Sequence, residues 1–194
     1  ISSVVYMKHL FSYCISLESI DLSNLDISNV KDISYMFYFC TNLKYINLTN
    51  INISSAEDMS YLFYGCEYLT SIDLSNLDIS KVTNIVKMFY TSIHYINLSN
   101  IKASSIENMN NFFYELWYNR GFQIISIDLS NSDFSNVKDI SYMFSYCKNL
   151  TFINLTNINI SSVECMDYSF SNCISLESID LSNLDLSNVK DISY

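Results

Sequence analysis

The sequence predicts an α/β solenoid, a curved stack of coils with short parallel strands on its concave face and short helices on its convex face. Three observations carry this expectation. The run Ile-Asp/Asn-Leu-Ser/Thr-Asn begins at Ile20, Ile46, Ile72, Ile96, Ile127, Ile153 and Ile179, at steps of 26, 26, 24, 31, 26 and 26 residues. Self-similarity at a period of about 20–50 residues marks a solenoid, whose units bury their apolar faces on one another. Each copy also switches its hydrophobic period from two to 3.6, a change from strand to helix. Finally, strands stack about 4.8 Å apart whereas packed helices need about 8–10 Å, so a helical side would splay and the array would curve.

The strand comes first in each unit. Ser19-Ile20-Asp21-Leu22-Ser23 alternates polar and apolar residues, which directs Ile20 and Leu22 inward. Asn24 follows it and recurs as Asn50, Asn76, Asn100, Asn131, Asn157 and Asn183. An Asn column at a turn can hydrogen-bond the backbone of the next coil. The helix is expected next, because Val30, Ile33, Met36, Phe37 and Cys40 form an apolar stripe at helical spacing. Ser54-Ser55-Ala56-Glu57, Ser104-Ser105-Ile106-Glu107 and Ser161-Ser162-Val163-Glu164 read as capping boxes for it. Asn29 with Asp32 and Asn136 with Asp139 read as caps followed by a first-turn acid. Phe11, Phe37, Phe63, Phe89, Phe113, Phe144 and Phe170 make one core ladder, and Val30, Ala56, Val82, Ile106, Val137, Val163 and Val189 a second.

The repeat covers nearly the whole chain, so residues 1–194 are expected to form a single solenoid of about seven repeats. Ile1-Ser2-Ser3-Val4 matches the middle of a repeat and Ser187 to Tyr194 stop inside another, which reads as a fragment of a longer array. Hydrophobic residues make up 49% of the chain, enough for a core, with no proline and two glycines. The formal net charge of −10 argues against nucleic acid as a partner, since phosphate backbones are bound through clustered Lys and Arg. No apolar run reaches the roughly 18 residues of a transmembrane helix.

A longer period is superimposed. The residue after the first Ile of the motif alternates as Asp21, Asn47, Asp73, Asn97, Asp128, Asn154 and Asp180. The position preceding that Ile alternates small and aromatic: Ser19, Tyr45, Ser71, Tyr95, Ser126, Phe152, Ser178. The true unit is thus a pair of coils. Two carboxylates about 5 Å apart repel by roughly 1–3 kcal/mol, and an intervening Asn moves them to about a Debye length.

The unit Met36-Phe37-x-x-Cys40-x-x-Leu43-x-x-Ile46-Asn47-Leu48-Thr49-Asn50 resembles the BspA-like leucine-rich repeat of bacterial surface proteins and lipoproteins. The resemblance implies a leucine-rich-repeat-like solenoid displayed at a cell surface or outside the cell. It further implies a module that adheres to a protein or glycan on a host or neighbouring cell. It supplies no catalytic residues and no cofactor. The alternative use of the same solenoid is an intracellular protein-interaction scaffold.

The residues offer few other chemistries. Cys14, Cys40, Cys66, Cys147 and Cys173 share one column and read as buried small hydrophobes. Cys165 lies off it and reads as the exposed thiol. His9 and His94 have no repeated acidic partner, and two glycines build neither a phosphate loop nor a nucleophile elbow, so no enzyme is expected. The Asp columns offer oxygens to calcium, yet no Asp-rich loop with a turn glycine accompanies them. The candidate binding residues are Tyr45, Tyr95 and Phe152, with Asp73 and Asp128 to orient a partner. Trp117 and Arg120, in the inserted segment of the longest repeat, are the candidate loop anchors.

Overall fold

The computed structural model describes residues 3–89, 92–113 and 124–193. Six strands of three residues recur, one per coil: β1 (Ser19–Asp21), β2 (Tyr45–Asn47), β3 (Ser71–Asp73), β4 (Tyr95–Asn97), β5 (Ser126–Asp128) and β6 (Phe152–Asn154). Within each of two sheets neighbours pair in parallel and in repeat register, so that Ser71 faces Tyr95, Tyr95 faces Ser126 and Ser126 faces Phe152. The central Ile of β2 to β6 is buried in every case, as alternation demands.

The helices are not there. Among the described residues the side opposite the strands is a run of turns, with no α-helix. The stripe itself is placed as expected: Val30, Ile33, Met36, Phe37 and Cys40 are all buried. What differs is the backbone. From Ile33 to Phe39 alternate amides leave the coil, Ile33 to Asp58 O, Tyr35 to Ser60 O, Phe37 to Leu62 O and Phe39 to Tyr64 O. Those between them close locally over three residues, Met36 to Ile33 O, Tyr38 to Tyr35 O and Cys40 to Phe37 O. Tyr35 and Phe39 sit at φ of 57° and 53°, which no right-handed helix can contain. Inward residues at spacings of three and one fit both a helix face and a chain of such turns. The inter-coil hydrogen bonds decide between them.

The capping boxes are therefore not caps. Glu57 and Glu164 pair with lysines one coil away, Lys31–Glu57 at 3.0 Å and Lys190–Glu164, and Glu107 reaches Lys138 at 3.9 Å. Asp32 and Asp139 instead open a third column of turns, with Asp58, Asn84, Asn108 and Asp191, in which the side-chain oxygen accepts the N–H two residues on. The same turn is made by the columns of Asp21 and of Asp26. Up to three Asx turns thus bend a coil, Lys102 and Cys165 standing where the fourth and sixth coils lack one, and isolated parallel bridges run along the columns of Asp26 and Asp32. With no helices to hold apart, nothing on the side opposite the strands forces the stack to splay and make the strand face concave.

The Asn column works differently from the expectation. Asn24, Asn50, Asn76, Asn100, Asn131 and Asn157 all have φ between 53° and 63°, in the left-handed region that Asn tolerates. Side chains bond along the column, Asn50 Nδ2 to Asn24 Oδ1 and Asn157 Nδ2 to Asn131 Oδ1, each 3.1 Å. The backbone N–H of Asn24 donates to Thr49 O.

Phenylalanines fill the interior as one continuous stack. Ring centroids from Phe11 to Phe170 follow at 5.4, 5.7, 6.3, 6.0, 5.5 and 5.1 Å. The cysteine column lies beside it. Cys40, Cys66, Cys147 and Cys173 each donate a thiol hydrogen to the Phe carbonyl of the preceding coil, at 3.0–3.2 Å. None of the six cysteines is in a disulfide. Burial pushes the thiols of Cys40 and Cys173 up to about 11 and that of Cys66 to about 12. The exposed cysteine is Cys14, not Cys165, which is half-buried. No described coil covers Cys14 on its N-terminal side, whereas Cys165 takes an Asx position in the third column and bridges Asp139 and Asp191.

The ladders are not continuous. The strands form two sheets, β1-β2 and β3-β4-β5-β6, interrupted between β2 and β3. Along the second column the bridges stop at the same place, between Asn52 and Asp78. The third column carries through there, Asp58 to Asn84, and is interrupted one coil later, between Asn84 and Asn108.

Candidate functional site

The strand face is the candidate surface. Tyr45, Tyr95 and Phe152 occupy the first position of β2, β4 and β6 and are exposed by 59, 52 and 58%. They stand outward because Ile46, Ile96 and Ile153 beside them point into the core. Ser71 and Ser126 take the same position in the intervening coils. Two parallel steps separate Tyr95 from Phe152, so the rings stand about 9.6 Å apart with a serine-floored slot between them.

Asp73 and Asp128 lie in the slot-bearing coils, two residues beyond those serines. One oxygen of each accepts a turn N–H, from Ser75 at 2.9 Å and Ser130 at 2.8 Å. Asp73 is exposed and Asp128 half-buried. In the same column the Ser23 backbone N–H holds Asp21, and the Ser182 hydroxyl holds Asp180, below the usual carboxylate range. A depressed carboxylate contributes stability above its ordinary value near 3.8 and loses it as pH falls through the folded value, so these turns loosen only in acid. The structure thus brings five sequence-level candidates onto one face. Trp117 and Arg120 lie outside the described residues.

Two features escaped the sequence reading. Tyr68 is 57% exposed in the turn that precedes β3. On the other side of the coil, Tyr35 stacks on Tyr61 at 4.6 Å and Tyr142 on Tyr168 at 4.8 Å, all four at positive φ. Their common spacing of 26 residues was visible, but the helix expectation hid its meaning. Competition with Asp191 for a proton raises the Asp167 carboxyl, while the Ser193 hydroxyl first, and Asp167 second, lowers that of Asp191. Among the described residues no group of three His, Cys, Asp or Glu side chains is arranged to hold a metal ion. Three apolar cavities between the two sides measure about 30, 20 and 30 Å³, far below a small-molecule site of about 300–1,000 Å³. No helix among the described residues is long and apolar enough to cross a membrane.

Stacked, near-identical coils with a parallel strand ladder define a parallel β-solenoid. Residues 5–121 and 116–194 match the family described as "Mycoplasma protein of unknown function, DUF285", and the chain belongs to that family. No curated protein matches it. Among solved structures it is similar to a leucine-rich repeat protein from Bacteroides ovatus ATCC 8483, at 18% identity and a TM-score of 0.30, over 92% of this chain and 70% of that one.

Proposed function

We propose that this chain is a binding module displayed at a cell surface, and that it docks a protein or glycan partner across the strand face. Tyr45, Tyr95 and Phe152 anchor the partner; Asp73 and Asp128 orient it. One observation carries the reading: three exposed aromatic rings recur in register on a face otherwise made of Ser, Thr, Asn and Asp. Rigid rings offer large contact area at low entropic cost and are common anchors of binding energy. Display at a surface rests on the resemblance to BspA-like repeats, and Trp117 and Arg120, in the inserted segment of the sequence, are a second contact in the same reading. Two experiments test it. Antibodies against the repeat should label intact, unpermeabilised cells. Wild type should adhere to cells or matrix proteins while a folded Tyr45→Ala/Tyr95→Ala/Phe152→Ala variant does not. Labelling only after permeabilisation overturns surface display, and equal adhesion by the variant overturns the strand face.

A further inference from the structure

The spacing of the rings selects among the shapes a partner chain can take. Each ring is two coils from the next, about 9.6 Å. A polyproline II helix has three residues per turn at about 3.1 Å each, a pitch of about 9.3 Å. From Tyr45 to Phe152 the accumulated mismatch is only about 0.6 Å. An extended strand returns to the same face about every 6.7 Å, out of step with the rings. An α-helix returns after seven residues, about 10.5 Å, and drifts about 1.8 Å over the same two intervals. The Tyr95–Phe152 interval lies wholly within the continuous β3-β6 sheet, so it is the better gauge; the Tyr45–Tyr95 interval crosses the interruption.

The charge pattern has the same period. A carboxylate, Asp73 or Asp128, stands in each slot between rings, and the chain carries −10 overall. A Lys or Arg reaching into a slot meets a ring on either side and a carboxylate at its end, combining cation–π and ionic contacts. We infer that the strand face takes a cationic polyproline II segment, lying along the solenoid axis with a Lys or Arg every third residue. This deepens the strand-face reading and rests on it. Such a segment is ordered before it binds, so little freedom is lost on docking.

Isothermal titration of the purified chain with synthetic peptides tests this. The probe repeats Pro-Pro-Arg over about nine residues, enough to span three rings. Controls are a Gly-Gly-Arg peptide of equal length, an Ala-based helical peptide with the same arginines, and a cello-oligosaccharide. Saturable binding of the Pro-Pro-Arg peptide is expected, at least ~10-fold weaker to Tyr95→Ala. It should also be weaker to Asp73→Asn/Asp128→Asn, with a flatter salt dependence. Circular dichroism confirms that each variant is folded, which the exposure of these side chains favours. Equal or tighter binding of the glycine or helical peptide, lost in Tyr95→Ala, overturns the polyproline inference and leaves the strand face standing. Binding of the oligosaccharide alone, again ring-dependent, does the same. Pro-Pro-Arg binding that Tyr95→Ala leaves unchanged overturns both.

Discussion

Phe63→Ala tests whether the interior stack holds the coils together. Phe63 is fully buried, with Phe37 at 5.7 Å on one side and Phe89 at 6.3 Å on the other. Truncating a buried Phe costs about 3–5 kcal/mol from lost transfer energy and the cavity left behind. Both neighbouring interfaces lose a contact, and in a nearest-neighbour array that loss is felt by the whole stack. With a urea slope of about 2 kcal/mol per molar, the midpoint should fall by about 2 M. Phe11→Ala is the internal control. Phe11 is half-buried and has a ring on one side only, Phe37 at 5.4 Å, so its loss should be about half as large. Urea unfolding followed by circular dichroism compares the two. A Phe63→Ala midpoint no lower than that of Phe11→Ala would refute the reasoning.

Three further outcomes are expected. Asn84 Nδ2 donates to Asp58 Oδ2 at 3.0 Å, and Asp58 bridges Asp32, so Asn84→Asp would set three carboxylates in a row. It should cost roughly 1–3 kcal/mol at neutral pH, and the difference from wild type in thermal melts should shrink in high salt. Gly65 has φ of +77°, and a methyl group there would lie 2.9 Å from Cδ1 of Phe39. Gly65→Ala should therefore lower the melting temperature by about 2–8 °C, and a second change, Phe39→Ala, should return part of it; additive losses would contradict the clash. At mild alkalinity a thiol reagent should label Cys14 first, and Cys40 and Cys66 only as the fold opens. Raised thiols keep their protons in the fold but lose them when unfolded, so stability should be full below pH 9 and fall as pH climbs toward 11–12.

The repeat, the strands and the inward residues were legible in the sequence, because alternation around Ile46 and burial along Val30 to Cys40 follow directly from side-chain chemistry. The backbone path of the second side was not. Ile33, Met36, Phe37 and Cys40 suit a helix as well as they suit successive turns, and only hydrogen bonds to the next coil separate the two. The signal that could have warned against a helix is the third Asx column. Asp32, Asp58 and Asn84 recur at 26-residue steps as the Asp21 column does, a pattern that reading Asp32 as a first-turn acid obscures. Cys165 misled for the same reason, since its column was not recognised. The candidate face was legible, because exposure of Tyr45, Tyr95 and Phe152 needs only the phase of the strand. Trp117 and Arg120 sit in an insertion, where the repeat offers no template.

The two interruptions in the ladders are staggered like joints in masonry. Where the strand side parts, between β2 and β3, the third column still ties Asp58 to Asn84. Where the third column parts, the strand side ties β3 to β4. Each joint is thus hinged along one edge, and consecutive hinges lie on opposite sides. Flexing about the first changes the gap between Tyr45 and Tyr95, while the second leaves that gap fixed and opens the far wall. The rod is jointed on alternate sides, first between the coils of β2 and β3 and then between those of β3 and β4, while its strand side runs unbroken from β3 to β6. Amide hydrogens around Leu48 should exchange faster than their equivalents around Leu98, and a rigid ligand laid along the strand face should slow the first set.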